Sequence, residues 1–402
     1  MPRIAIIGAG AAGCFCAAEL LRRAPGASFT VFEAGPKPLA KVAVTGGGRC
    51  NLTNSFEGIR SIQEAYPRGE RVMARALKAF SQDDTVDWFQ SRGVPLTLQE
   101  DHCWFPVSQD AMDIVRCLLS NMKGADLRTK TPVRSLAQNL TPSLPATTGN
   151  LLVNGEPFDF VVVTTGGAAK GLPFLEGLGL EIVPPVPSLF TFTIEDAGLR
   201  ALSGLVVDAA IGLQSTKYKA EGPLLITDWG LSGPATLKLS SYAARDLKES
   251  GYKGTVTINW LQTSEAETKD ILLKSAAESP QRQVSSTHLL PSRLWNHIIT
   301  RAGLRPEIKW AELGSKGLNR LTSTIVNDTY ALAGKSRFRE EFVTAGGVSI
   351  GNINLSTLES KAHKGLYFAG EVLDIDAITG GFNLQAAWST GYVCACSIAN
   401  CL

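Results

Sequence analysis

The feature that most constrains this chain is a glycine pattern near its start. Gly8-Ala9-Gly10-Ala11-Ala12-Gly13 directly follows the apolar run Ile4-Ala5-Ile6-Ile7. A short run that is apolar at every position predicts a strand buried on both faces. Residues 12–23 then read as a helix that stops near Pro25 and Gly26. Each glycine answers a different steric demand. Gly8 makes the tight turn out of the strand, Gly10 lets a pyrophosphate approach the backbone, and Gly13 lets the helix pack close to the sheet. The helix start offers unpaired N–H groups and a positive dipole end to phosphate. A second strand at 28–33 closes on Glu33, about 20 residues on, where a carboxylate binds ribose hydroxyls and repels a 2′-phosphate. The pattern predicts a parallel βαβ unit holding a dinucleotide. Arg3 followed by the apolar stretch 4–18 imitates a signal peptide, but the glycine spacing supports the nucleotide reading.

Further along, Val72, Leu77, Phe80, Val86, Trp88 and Phe89 give helical periodicity over 70–92. A helix is predicted at 110–122, a strand at 132–136, a polar turn at 141–150, and a buried strand at 158–164 that runs into Gly166-Gly167. The composition changes at Pro184-Pro185-Val186-Pro187. Alternating stretches at 190–194 and 255–260 predict a β-rich module, and 264–330 reads as helical. A strand-like return near Phe342, a buried strand at 365–369 and a last helix from about Leu384 complete the chain. The expected fold is α/β. A Rossmann-like domain, split into 1–187 and 343–402, carries an inserted β-rich module (188–262 and 331–342) and a helical module (263–330).

Composition removes several function classes. A net charge of +2 gives no support for a nucleic-acid or membrane-surface partner, and no run reaches the roughly 18 apolar residues of a span. The eight cysteines include no Cys-x-x-Cys pair, so a dithiol relay next to a cofactor is not expected. They read as reduced thiols in a cytoplasmic protein. No P-loop, no Gly-x-Ser-x-Gly elbow and no metal-finger spacing occur. His288, His297 and His363 read as surface or helix residues, and His102 and Cys103 as a packed loop around Trp104.

Residues 41–54, Lys-Val-Ala-Val-Thr-Gly-Gly-Gly-Arg-Cys-Asn-Leu-Thr-Asn, choose among dinucleotides. Gly46, Gly47 and Gly48 bare the backbone for a flat ring or a phosphate. Arg49 adds a fixed cation, Cys50 reads as a buried inert thiol, and the Asn51 amide can read a ring edge. A plain NAD dehydrogenase does not need such a segment. Here the chain resembles, over nearly its whole length, the two-dinucleotide-fold flavoproteins of the HI0933-like group, which includes aminoacetone oxidase-like and bile-acid dehydratase/reductase-like members. The resemblance rests on Thr45-Gly-Gly-Gly-Arg-Cys-Asn51, Gly230-Leu-Ser-Gly-Pro234, Gly346-Gly347-Val348, Leu358-Glu-Ser-Lys361, the run from Gly365 to Asp374, and Thr379-Gly-Gly-Phe-Asn383.

The resemblance implies FAD. Gly8, Gly10, Ala11, Ala12 and Gly13 would hold its pyrophosphate, Glu33 and Ala34 its adenosine ribose, and the Val133 backbone its adenine. Lys41, Thr45 to Asn51, and Thr165, Gly166 and Gly167 join the implied contacts. Gly370 and Glu371 would lie at the ribityl chain, with Asp374 (and Asp376 beside it) flavin-side. Gly380, Gly381, Phe382, Asn383 and Leu384 would offer helix N–H groups to the pyrimidine edge, where negative charge grows on reduction. The chain departs from the group's pattern at Asp101-His102-Cys103-Trp104, where an arginine-glycine pair is usual. It departs again at Asp228-Trp229, where a histidine is usual, and at Ala377 in place of glycine; two of these departures are expected to face the inserted module.

The implied activity is an FAD-dependent oxidoreductase. It would accept a hydride from NAD(P)H, bound transiently because no second glycine fingerprint is visible, or from an organic amine or carbon donor, and pass electrons to an organic acceptor or oxygen. An FAD protein of non-redox or RNA-modifying type is the alternative. A small-molecule substrate and a monomeric or homodimeric state are expected.

Overall fold

A computed structural model describes residues 1–139, 150–167, 172–287, 289–335 and 343–402. His288, Phe342 and all but the last residue of the turn read at 141–150 lie outside the described residues. The chain divides into two compact units, Met1–Val186 with Val343–Leu402, and Pro187–Phe342.

The first unit is built on a five-stranded parallel sheet. In chain order its strands are β1 (Arg3–Ile7), β2 (Ser28–Phe32), β3 (Asp126–Arg128), β4 (Phe160–Val163) and β5 (Leu366–Phe368), arranged in space β5-β4-β1-β2-β3. Ile4, Ala5, Ile6, Val161, Val162 and Val163 are fully buried, which is why these runs do not alternate. Around the sheet lie α1 (Ala11–Arg23), α2 (Glu70–Ala79), α3 (Gln82–Gln90), α4 (Ala111–Asn121) and α5 (Phe382–Ala399). The buried face of α1 meets α5 through Phe15 and Trp388, with ring centroids 5.5 Å apart. A side chain at Gly391 would come within 3.0 Å of the Ala12 carbonyl oxygen.

Two sequence readings are corrected. The helix expected over 70–92 is two helices: Phe80 is extended, and Ser81 starts α3 with a capping box, its hydroxyl accepting the Asp84 N–H while Asp84 accepts the Ser81 N–H. The strand expected at 132–136 does not form, because the Asn154 side-chain oxygen accepts the N–H groups of Arg134 and Ser135 that a ladder would use; pairing begins at Leu136–Gln138.

The second unit is a closed six-stranded barrel. Its strands, in chain order, are Phe192–Ile194, Val206–Leu213, Lys219–Thr227, Gly230–Ser232, Gly254–Asn259 and Asp328–Lys335. The helices Glu265–Glu278, Ser292–Arg301 and Gly314–Val326 share its core, so segment 263–330 packs as part of the same unit rather than by itself. His297 lies on a helix, as read, and is half-buried there. Its Nε2 lies 3.0 Å from the Tyr330 hydroxyl, which donates to the buried Asp328 carboxylate, and desolvation lowers its pKa. No described helix is long and apolar enough to cross a membrane.

Candidate dinucleotide and flavin site

The glycine loop takes the shape its spacing predicts. The Gly8 N–H donates to the Phe32 carbonyl at 2.8 Å. A side chain at Gly8 would stand 2.6 Å from the Thr164 oxygen, and one at Gly13 only 2.0 Å from the Gly8 oxygen. At Gly10, by contrast, a side chain would meet nothing within 4 Å, so internal packing does not explain that glycine. Here α1 begins without a side-chain cap and without an acid in its first turn, leaving the N–H groups of Ala11, Ala12 and Gly13 ahead of the first helical bond, Cys14 N–H to Gly10. Glu33 is fixed beside this loop: Oε2 accepts the Ala9 N–H at 2.9 Å and Oε1 the Gly35 N–H at 2.6 Å, which also sets the turn through Ala34. A carboxylate offers about four acceptor sites, so two remain for ribose hydroxyls. The Thr131 N–H donates to the Glu33 carbonyl, bringing in the segment in which neither backbone group of Val133 has a partner among the described residues.

At the other end, a one-turn helix (Ala40–Val44) leads into the triple-glycine turn, which the Cys50 N–H closes on the Thr45 carbonyl at 3.0 Å. Gly47 and Gly48 take φ of 69° and 83°, and nothing lies within 4 Å of a side chain placed there. Arg49 is exposed, its guanidinium 4.7 Å from the Phe105 ring centroid. Cys50 is fully buried, and desolvation pushes its thiol up to about 12, so it is protonated and inert at neutral pH. Asn51 is different. Its Oδ1 is shielded from solvent yet has no hydrogen-bond partner among the described residues. It sits at the start of α5, where a side chain on Gly381 (φ 89°) would come within 2.6 Å of it.

That helix start, like the start of α1, has neither a side-chain cap nor a first-turn acid. The preceding turn is held from below. Asn54 donates to the Gly380 carbonyl at 3.1 Å, the Cys103 thiol reaches the same oxygen at 3.6 Å, and the Tyr66 hydroxyl donates to the Phe382 carbonyl at 2.9 Å. The side chains of Phe382 and Asn383 serve the protein itself. Phe382 is buried against Phe56 and Tyr66, and Asn383 clamps both backbone groups of Ala377. What Phe382, Asn383 and Leu384 leave for a ligand is their N–H groups.

A third cluster joins the loops after β4 and β5. Glu371 Oε1 accepts the Thr344 N–H at 2.9 Å, and Oε2 lies 3.6 Å from the Lys41 ammonium. A side chain at Gly167 would strike this carboxylate at 2.8 Å; Gly166 (3.6 Å) and the exposed Thr165 adjoin it. Gly370 donates its N–H to Thr390 Oγ1, and a side chain there would stand 3.0 Å from the Ala12 methyl. Asp374 is tied through its N–H to Val348, while the fully buried Asp376 gives both carboxylate oxygens to Arg68 and is structural.

Of the three departures from the group pattern, Cys103 packs inside the first unit, its thiol against the Gly380 carbonyl at the start of α5. Burial pushes its thiol up to about 11. His102 holds the left-handed backbone (φ 61°) and pairs with Glu57 at 3.4 Å. Ala377 is the residue clamped by Asn383, and Asp228 and Trp229 belong to the barrel unit. His363 bridges Leu178 and Gln138. Sequence reasoning missed Thr164, whose hydroxyl donates around the glycine turn to Ile7 and Gly8, and also Asn54, Tyr66, Thr344 and Thr390. Each acts through hydrogen bonds to residues distant in sequence, which no local spacing announces.

An unpaired amide oxygen, open glycines at Gly10, Gly47 and Gly48, and two uncapped helix starts fit a dinucleotide carrying a flat ring. Among the described residues no cluster could hold a metal ion.

Comparisons agree. Residues 2–397 match the family model described as the HI0933-like protein Rossmann domain. The chain is 30% identical over 408 residues to a ribosomal RNA dihydrouridine synthase of Escherichia coli (strain K12), covering 97% of this chain and 96% of that one. It is 28% identical over 409 residues to a 3-dehydro-bile acid delta(4,6)-reductase of Clostridium scindens, covering 98% of each. Among solved structures, the 3-ketosteroid delta1-dehydrogenase of Sterolibacterium denitrificans aligns with a TM-score of 0.50 at 13% identity over 100% of both chains, a likeness of fold.

Proposed function

The chain belongs to the HI0933-like Rossmann-domain family of FAD-dependent oxidoreductases, and from that premise we propose that it is a reductase that saturates a carbon–carbon double bond conjugated to a carbonyl, drawing its electrons from NAD(P)H. Two dissimilar substrates lead to this reading. Dihydrouridine is uridine with its ring double bond reduced, and a delta(4,6)-reductase acting on a 3-dehydro bile acid reduces double bonds conjugated to a 3-oxo group. The reaction adds a hydride to the carbon remote from the carbonyl and a proton to the adjacent one.

FAD bound here supplies the hydride-transfer chemistry. The protein's part is to hold and tune it. The α1 start and Glu33 anchor the nucleotide half. The α5 start stabilises negative charge at the ring's pyrimidine edge. Asn51 Oδ1 would accept a ring N–H, and this buried oxygen, unpaired among the described residues, is the observation that carries the assignment of the ring's seat. Cys50 and Cys103, with pKa values near 12 and 11, remain thiols and take no part as a redox pair.

The test is anaerobic. The protein, purified without added cofactor, should show flavin bands that bleach with NADPH or NADH and recover on addition of a conjugated enone or a uridine-containing RNA. Bleaching with neither nucleotide would leave an organic-donor oxidase. Recovery with oxygen alone would remove the double-bond reductase.

A further inference from the structure

Helix α2 carries a basic stripe that makes no ion pair among the described residues. Arg71, Arg75 and Lys78 are all exposed. At 100° per residue they fall within about 60° of arc, spaced about 6 and 4.5 Å along the axis. On a helix surface such cations are ordinarily met by acids three or four residues away. Elsewhere in this unit that happens: Arg22 and Arg23 pair with Glu19, and Arg116 with Asp110 and Asp113. On α2 the corresponding neighbours are Pro67, Arg68, Val72, Ala74, Ala79, Ser81 and Gln82, and the stripe's own members; none is acidic. Arg68 is already committed to Asp376. Arg75 reaches only the Ser356 hydroxyl, at 2.7 Å, and Arg71 and Lys78 have no ion-pair partner among the described residues. Like charges at this spacing repel, so α2 keeps the stripe at a small cost in its own stability.

Its position matters as much as its charge. Just ahead of the stripe, Tyr66 holds the Phe382 carbonyl, Arg68 holds Asp376, and a side chain at Gly69 would strike Ile375 at 2.4 Å. The stripe therefore starts at the wall of the flavin end. From there α2 runs beside α5, with the Phe80 and Tyr392 rings stacked at 4.6 Å. Along its outer side Arg75 and Lys78 border an open cleft of about 380 Å³, whose other walls include Leu355, Ser356 and Val393.

We infer that Arg71, Arg75 and Lys78 bind the phosphate backbone of an RNA whose uracil is the double bond reduced at the flavin end. This rests on the reductase reading and names its substrate class. Cations repeating along a line suit a phosphodiester chain. A net charge of +2 does not weigh against it, because backbone binding depends on local cations rather than on the sum over the chain.

The test uses the FAD-loaded protein and a fluorescein-labelled RNA hairpin with a uridine-rich loop, titrated by anisotropy at several salt concentrations. In the variant Arg71→Gln/Arg75→Gln/Lys78→Gln, with flavin absorbance unchanged, the log–log salt slope should flatten by about 2, three contacts at about 0.7 each, and affinity at low salt should fall roughly tenfold or more. The control Lys316→Gln/Arg320→Gln, on a helix of the barrel unit, should leave both unchanged. Retained affinity and slope in the triple variant, or an equal loss per charge in the control, would overturn the docking surface. So would absence of RNA binding by the parent, while recovery of bleached flavin with a small enone would keep the reductase reading. RNA binding that depends on the stripe, without any substrate-driven reoxidation, would sustain the surface and remove the reductase.

Discussion

The two ends of the dinucleotide site use glycine for different reasons. At the nucleotide loop, Gly8 and Gly13 are forced by the protein's own backbone, with contacts of 2.6 and 2.0 Å awaiting any side chain. At the triple-glycine turn, Gly47 and Gly48 face open space, and only their left-handed backbone and whatever binds there explain them. The first end is therefore part of the fold whether or not a ligand is present. At the second the chain itself presses only on Gly46, where a side chain would stand 2.8 Å from the Asn51 backbone nitrogen, and Gly47 and Gly48 leave room for something outside the chain.

The largest effect should come from treating both ends alike. Gly13→Ala places a methyl against the Gly8 oxygen with only backbone to yield, and should destabilise the cofactor-free protein by roughly 3 kcal/mol or more. Gly47→Ala meets no clash and carries only the left-handed penalty, about 1–2 kcal/mol. Denaturant melts of the two apoproteins check this; equal losses would erase the distinction between the ends.

A second, smaller effect reaches α1 from its far side. Glu19 is 1% exposed and accepts the Trp88 indole N–H at 2.7 Å and the Arg22 guanidinium at 2.9 Å, with Arg23 at 3.1 Å. Burial opposes its ionisation, but those hydrogen bonds and charges outweigh it and hold the carboxyl below the usual carboxylate range. A depressed folded-state pKa contributes stability that is present above the unfolded value, near 4.3, and is lost as pH falls through the folded one. Glu19→Gln should cost roughly 2–3 kcal/mol at pH 7, less than a fully buried pair because its arginines keep water, and the penalty should shrink below about pH 4. A penalty that does not change with pH would assign the effect to packing alone.

The same division explains what was legible in the sequence. Gly8, Gly10, Gly13 and Glu33 were readable because strand, turn and helix succeed one another locally, and spacing alone fixes who meets whom. The parallel sheet was readable because β1 and β4 are apolar at nearly every position. The break between α2 and α3 was hidden because periodicity runs through Phe80, while Ser81 and Asp84 act by reciprocal hydrogen bonds that hydrophobic patterning ignores. The helices of 263–330 read as a separate module, although Leu272, Trp295, Ile298 and Leu321 are buried in one core with the barrel residues, a long-range fact that composition does not carry. Thr164, Asn54 and Thr344 stayed invisible for the same reason, since each is defined by contacts across the sheet or between loops.

The smallest effect on stability should be the most informative about function. Asn51→Leu keeps the side-chain size and removes the buried oxygen that has no partner among the described residues. An unsatisfied buried acceptor costs about 1–3 kcal/mol, so removing it offsets what the amide contributes elsewhere, and the apoprotein should change by no more than about 1 kcal/mol. If the oxygen accepts a ring N–H, the variant should bind FAD about tenfold more weakly, a difference of about 1.4 kcal/mol. Its bound flavin should also show a shifted reduction midpoint, because the lost bond lay on the ring rather than on the nucleotide half. Isothermal titration with FAD and with ADP separates the two: ADP affinity should be unchanged, since the contacts proposed for it are at Gly10 and Glu33. A parallel loss of ADP affinity would mean that the two ends are coupled through the fold, and the distinction drawn from their glycines would fail at the residue where it is sharpest.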